Sequence, residues 1–264
     1  MINCCFCSSD KFKLKFIYNK KPKNETYFGI KDNKYKRCYI ECLNCNHYYS
    51  VMSFNLNSLY SKKYSESTYG KKIYQTFKKI KNLPFSRSDN SLRMKRFKKY
   101  FESRKIKVRE LIDIGSGIGI FPYSLIKKNL KVACLEPDKN LSNHLEKNLK
   151  LKVIKSNILK NEIKKKYDVV TLNKVLEHIN NPFTFMKSIK KIMKNKGTLY
   201  LEVPDTAVAA KLGYEREEFF AEHLHGFSRK SLKFLFNHTK LKLKLINSIK
   251  EPSGKFTIYC FLTK

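Results

Sequence analysis

Three glycines fall within five positions of the stretch LIDIGSGIGI, at Gly115, Gly117 and Gly119, straight after four residues of strand character at 111–114. Glycine allows a positive φ and lets a ligand lie against bare main chain, and a helix starting beyond the turn adds unpaired N–H groups. The pattern is G-x-G-x-G, because Ile120 stands where a dinucleotide loop wants its third glycine or an alanine. Asp113 heads the loop. Glu136 closes the next apolar run, about 20 residues on, where a carboxylate can accept from both hydroxyls of a ribose. A plain structural turn followed by an exposed acid before Pro137–Asp138 is the other reading. Loop and acid together point to a nucleoside.

A second group lies at the start of the chain. Cys4-x-x-Cys7 and Cys42-x-x-Cys45 are two C-x-x-C hooks, and two hooks can close a tetrahedral thiolate site with zinc about 2.3 Å from each sulfur. Asn46 can supply the positive φ that often follows such a hook. Cys5 and Cys38 are spare thiols that could replace a ligand, and His47 is a weaker candidate. The alternative is a set of small buried hydrophobes. Four thiolates leave no open position, so the zinc would be structural.

Composition bounds the setting. The 264 residues allow one full domain and a smaller unit, and 42% hydrophobic residues suffice for a core. No apolar run approaches the ~20 residues of a membrane span, and MINCCFCSSD lacks the basic and apolar parts of an export signal. Eight cysteines without such a signal place the chain in a reducing cytoplasm. The net charge of +34 reads either as an electrostatic footprint for nucleic acid or as codon bias, since only eight of the 56 basic residues are arginine and the lysines are spread along the whole chain.

Around these groups the elements can be placed. Residues 1–55 hold six cysteines and many aromatics, without helical period, and form the cysteine module. Residues 56–90 read as a linker with helical pieces. From residue 91 the core begins with a helix whose N-cap is assigned to Ser91. Strand runs at 111–114, 131–136, 152–157, 168–173 and 197–204 then alternate with helical stretches, which implies βαβ units and a parallel sheet. A last helix leads to runs at 241–249 and 255–263 around the turn EPSG, an antiparallel pair.

On these residues the chain resembles class I S-adenosylmethionine-dependent methyltransferases. The matching stretches are DIGSGIG (113–119), LEPD (135–138), YDVVTLNKVLEHINNP (167–182) and GTLYLEVPD (197–205), and the resemblance covers residues 91–264. It implies an α/β Rossmann-like sheet of seven strands, mostly parallel with the last one antiparallel, helices on both faces, and the zinc-ribbon-like module ahead of it. It implies that Asp113, Gly115, Gly117 and Gly119 form the cofactor loop beneath methionine and ribose. Glu136 would hold the ribose, Asn157 the adenine amine, and Asn173 would offer main chain near the amino-acid portion. Many members have Asp at the place of Asn157. His178 in LEHI either touches substrate or packs. Nothing resembles N-P-P-Y, a Ser-His-Asp triad or a Walker motif.

A cysteine module ahead of such a core is similar to bacterial sugar and surface-polysaccharide methyltransferases, whose members usually continue into a further C-terminal domain that these 264 residues do not include. EHLHGFS (222–228) matches their E-H-L-x-x-F-S segment. The resemblance implies catalysis by His223 as base with Glu222 orienting it, His225 being the alternative base. A neutral imidazole suits removal of a proton from a hydroxyl, or from a carbon beside a carbonyl. The segment could equally only position the helix beyond Ser228. The resemblance also implies a tyrosine from Tyr60, Tyr64 or Tyr69 in the substrate pocket, with Tyr64 the nearest match. The expected activity is methyl transfer to oxygen or carbon of a nucleotide-linked sugar or glycan precursor. An RNA methyltransferase and a non-catalytic binding protein are the alternatives.

Overall fold

The structure is a computed structural model that describes residues 3–54, 64–160 and 163–264. Tyr60 and the side chain of Tyr64 lie outside the described residues. Strands β1 (Phe12–Tyr18), β2 (Arg37–Cys42) and β3 (Tyr48–Met52) open the chain. Helices α1 (Tyr64–Tyr69), α2 (Ile73–Lys81) and α3 (Asp89–Ser103) follow. Then come β4 (Glu110–Ile114), α4 (Ile120–Ile126), β5 (Lys131–Leu135), α5 (Lys139–Lys147), β6 (Lys152–Ile154) and β7 (Tyr167–Asn173). The chain ends with α6 (Pro182–Lys191), β8 (Met193–Pro204), α7 (Thr206–Ala209), β9 (His225–Gly226), α8 (Arg229–Thr239), β10 (Lys242–Lys250) and β11 (Phe256–Thr263).

Seven strands form one sheet in the order β10-β11-β8-β7-β4-β5-β6. The inner pairs are parallel, and β11 runs antiparallel to both neighbours. The seven-stranded α/β sheet expected from the resemblance is present. Its five inner strands are largely buried on both faces, as a covered sheet requires, while the edge strands β6 and β10 are partly exposed. Alternation along each strand sends Leu111, Val169, Tyr200 and Phe261 to the face of α3 and α4, and Ile112, Val170, Leu201 and Leu262 to the face of α6 and α8. Tyr100 of α3 stacks on Phe261 with ring centroids 3.6 Å apart.

Helix α3 starts earlier than its apolar period suggests. Ser88, not Ser91, is the N-cap: its hydroxyl accepts the Ser91 N–H. The polar first turn, Asp89 to Ser91, concealed that start, and its acid suits the positive end of the helix. Arg93 and Arg96 of α3 clamp the fully buried Glu202 of β8, at 2.7 and 2.6 Å.

A second, antiparallel sheet has the order β1-β2-β3-β9. Its last strand comes from far along the chain: Tyr48 pairs with Gly226 and Tyr49 with His225. Among the described residues no helix is long and apolar enough to cross a membrane.

Candidate active site

The glycine loop joins β4 to α4 at the carboxyl edge of the sheet, where strand order reverses and ligands bind in open α/β sheets. Gly115, Gly117 and Gly119 all have positive φ, at 65°, 54° and 79°. They differ in surroundings. A methyl group on Gly115 would lie 2.7 Å from Val175 Cγ2, and one on Gly119 would lie 2.4 Å from Leu145 Cδ2. Gly117 has nothing within 4 Å at that position. The outer glycines therefore pack, and the middle one keeps bare main chain facing a cavity of about 1410 Å³.

Glu136 follows β5 directly and is buried. Its Oε2 accepts the Gly117 N–H at 2.8 Å and its Oε1 the Asp138 N–H at 3.0 Å. Burial pushes its carboxyl up to about 7, against the pull of these two N–H groups. Asp113 is also buried, and burial raises it to about 6 although Thr171 and Ser116 oppose the rise. Its Oδ1 accepts from Thr171 Oγ1 and from Asn173 Nδ2, so it ties β4 to β7 beneath the loop. Asn173 Oδ1 is left buried with no hydrogen-bond partner among the described residues. Asn157 lines the same cavity, and its Oδ1 accepts the Leu159 N–H at 2.9 Å.

The cavity thus presents bare main chain at Gly117, carboxylate oxygens at Glu136 and an unused acceptor at Asn173 Oδ1. The expectation for Asn173 named its main chain; the unsatisfied atom belongs to its side chain.

His178 and His223 line the same cavity, with ring centroids 4.9 Å apart. His178 Nδ1 donates to the main-chain oxygen of Glu222 at 2.8 Å, and His223 Nδ1 to that of Glu218 at 3.1 Å. Carbonyls only accept, so both rings carry hydrogen on Nδ1 and the lone pair on Nε2. Burial and the neighbouring His178 push His223 well below the ordinary histidine range, so it stays neutral near pH 7. The partner that orients His223 is thus the Glu218 carbonyl, while Glu222 holds His178 through its main chain. His225 hydrogen-bonds His47 through Nδ1 and Asn180 through Nε2, which removes it as the alternative base.

The sequence reading missed two residues here. Glu177 is fully buried with both carboxylate oxygens lacking hydrogen-bond partners among the described residues, and burial raises it to about 7 although Lys174 opposes the rise. Lys174 leaves β7 in the left-handed region, φ 59°, and donates to Thr257 Oγ1 at 2.7 Å. A non-glycine residue held in that region at the mouth of a cavity was the missing signal, and φ is not readable from one sequence. Glu177, His178 and His223 offer ligand atoms within 4.8 Å of one another, and the Lys174 charge competes with any cation there.

The four hook cysteines converge. Their sulfurs lie within 4.8 Å of one another, with Cys4–Cys45 at 3.6 Å and Cys7–Cys42 at 3.5 Å. A tetrahedron of sulfurs around zinc has edges of about 3.8 Å, so the donor set fits. All are free thiols. Asn46 has the expected positive φ of 53°, and Ser8 repeats it after the first hook at 60°. Tyr49 Oη lies 3.1 Å from Cys4 Sγ, an outer partner of the kind thiolate sites carry. Cys5 meets the same hydroxyl and is exposed; His47 packs on Phe6 with centroids 3.9 Å apart.

Comparison with known proteins identifies the family and the fold. A family model described as a methyltransferase domain matches residues 86–244. The ubiquinone biosynthesis O-methyltransferase of Rickettsia bellii is 30% identical over 127 residues, 46% of this chain and 52% of that protein. The chain thus spans about half the length of the curated relatives it matches. The magnesium protoporphyrin IX methyltransferase of Synechocystis PCC 6803, solved with bound S-adenosylhomocysteine, superposes with a TM-score of 0.58 at 10% identity, over 76% of this chain and 97% of that one. The N-methyltransferase NodS of Bradyrhizobium japonicum, in complex with the same product, gives 0.50 at 13% identity over 73% and 98%.

Proposed function

The chain belongs to the methyltransferase-domain family, and we propose that it moves the methyl group of S-adenosylmethionine to a hydroxyl or carbon of a nucleotide-linked sugar or glycan precursor. The observation that carries the reading is the cavity itself. It is lined by a bare Gly117, a buried Glu136 and a neutral histidine with its lone pair on Nε2.

Loop 115–119, Glu136, Asn157 and Asn173 would hold the donor, with Asp113 bracing the loop. The sulfonium supplies an electrophilic methyl when bound. His223 Nε2 would take the acceptor's proton, leaving the acceptor atom an electron pair for the methyl group that the sulfonium would give up as a neutral thioether. The Glu218 carbonyl fixes the tautomer this requires, and Glu222 acts by placing His178 beside it. The relatives' names favour oxygen as acceptor. The cysteine module and the EHLHGFS segment support the sugar class. Zinc on Cys4, Cys7, Cys42 and Cys45 would be structural, and the free thiols fit a cytoplasmic setting.

Labelled methyl transfer onto a panel of nucleotide-linked sugars tests the reading. Transfer by the wild type, and none by His223→Ala with donor binding kept, supports it. The charge of +34 sustains a second reading, RNA as acceptor. That reading predicts methylated RNA and binding that weakens steeply with salt. Shallow salt dependence and unmodified RNA reject it.

A further inference from the structure

We propose that the cysteine module is a positioning device for His223: zinc on the four hook cysteines fixes the second sheet, and that sheet holds the segment from Phe220 to Lys230 in which His223 sits. The inference rests on His223 being the proton acceptor and adds what places it.

Segment 220–228 is nearly all irregular, so its main-chain groups must find partners elsewhere. The module supplies many of them. Tyr39 Oη donates to the oxygens of His223, at 2.5 Å, and Phe220, at 3.2 Å. The Ala221 N–H donates to Glu25 Oε1 at 2.7 Å. Glu25 is itself locked by Tyr35 and by Arg37, whose Nη2 lies 2.9 Å away with both side chains inaccessible. The Ser50 N–H donates to Leu224 O at 3.1 Å, and Tyr49 pairs with His225. Beyond them Ser228 Oγ donates to Cys45 O at 2.6 Å, and Lys230 Nζ reaches Asn44 O.

These partners radiate from the second hook. Cys42 and Cys45 form the turn between β2 and β3, Tyr39 lies on β2, and Tyr49 and Ser50 lie on β3. The first hook is wedged in as well: Phe6, between Cys4 and Cys7, packs on Phe183 and Phe227 with centroids 5.0 and 5.9 Å away. Loop 115–119 and Glu136 hang on β4 and β5 instead, and take no hydrogen bond from the module among the described residues. The donor side therefore does not depend on the module, whereas the His223 segment leans on it as well as on Glu177 O, which accepts the Leu224 N–H at 2.9 Å. Losing zinc should loosen the His223 side and spare the donor side.

The test uses the full chain, with zinc content, affinity for S-adenosylhomocysteine, amide exchange and the His223 imidazole resonance read in parallel. Wild-type affinity, taken first, tests the methyltransferase reading separately. Stripping zinc with a chelator should speed exchange at Ala221 and Ser50 by about tenfold or more and shift the His223 resonance, with affinity unchanged within about threefold. Restoring zinc should reverse both. Tyr39→Phe, which keeps the ring and the cysteines, should retain zinc and donor affinity yet speed the same exchange roughly fivefold and shift the same resonance. The proposal is overturned if the chain holds no zinc, or if zinc leaves and the segment and resonance stay unchanged. Donor affinity vanishing with the metal, or a Tyr39→Phe segment as protected as wild type, overturns it as well.

Discussion

Glu136 Oε2 accepts the N–H of Gly117 at 2.8 Å, so the acid that would grip the ribose is already tied to the loop that would pass beneath it. Both sit at the carboxyl edge of adjacent strands, and burial holds the acid up to about 7.

That value gives opposite signs to two measurements. A carboxyl whose folded value lies above its unfolded one, near 4.3, contributes stability that is present below about 4.3 and lost as pH rises through about 7. The unliganded chain should therefore lose that contribution between these values. A ribose wants the ionised form as acceptor, so affinity for S-adenosylhomocysteine should rise with pH, by up to about tenfold per unit below 7, and level off above it. Calorimetric titration from pH 5.5 to 8.5 checks this. Glu136→Gln should bind more weakly and with a flat profile; a flat wild-type profile contradicts the assignment.

Gly119→Ala should damage the fold more than the ligand site. The new methyl group meets Leu145 at 2.4 Å and Leu149 at 2.8 Å, and φ is 79°. Overpacking of this kind costs about 1–3 kcal/mol and the left-handed backbone adds about 1–2 kcal/mol. Urea unfolding should show a loss in that range; a neutral substitution would mean α5 gives way freely.

Asn173→Ala removes the unsatisfied Oδ1 along with the Nδ2 that supports Asp113. We expect donor affinity to fall by about tenfold, the worth of one hydrogen bond to a charged group. Unchanged affinity by calorimetry would show that this oxygen does not face the donor's ammonium.

Glu202 is fully buried. Burial alone would raise its carboxyl, but Arg93 and Arg96 win and hold it down to about 2. Its pairing stabilises the fold above the unfolded value near 4.3, and the contribution fades as pH falls toward about 2. Glu202→Ala strands the Arg93 guanidinium and leaves Arg96 only Glu251, and should cost about 3–5 kcal/mol at neutral pH. Denaturant melts of wild type and variant at pH 7 and 3 should show the gap narrowing with acid; an equal gap at both would refute the pairing's role.

Much of this arrangement was legible in residue order. Two C-x-x-C hooks and a glycine run between a strand and a helix are local patterns, and each came together in space as its spacing implied. Alternating apolar runs were enough for the parallel sheet because both faces are covered. What stayed hidden was long-range or conformational. The pairing of Tyr49 with His225 joins positions far apart in the chain, and β9 is only two residues long, too short to leave a pattern. Neither Lys174's left-handed backbone nor Glu177's lack of partners has a one-dimensional signature. Ser88 and Ser91 compete as caps with the same chemistry, and only the helix start separates them.

The most direct test of the central claim is a titration of the full-length wild type and Gly117→Val with S-adenosylhomocysteine at pH 8. Because Gly117 has open space where a side chain would grow, valine should fill the donor's place with only the backbone cost of about 1–2 kcal/mol in stability. The account predicts saturable one-to-one binding by the wild type and none by the folded variant. Equal binding by both proteins would contradict it.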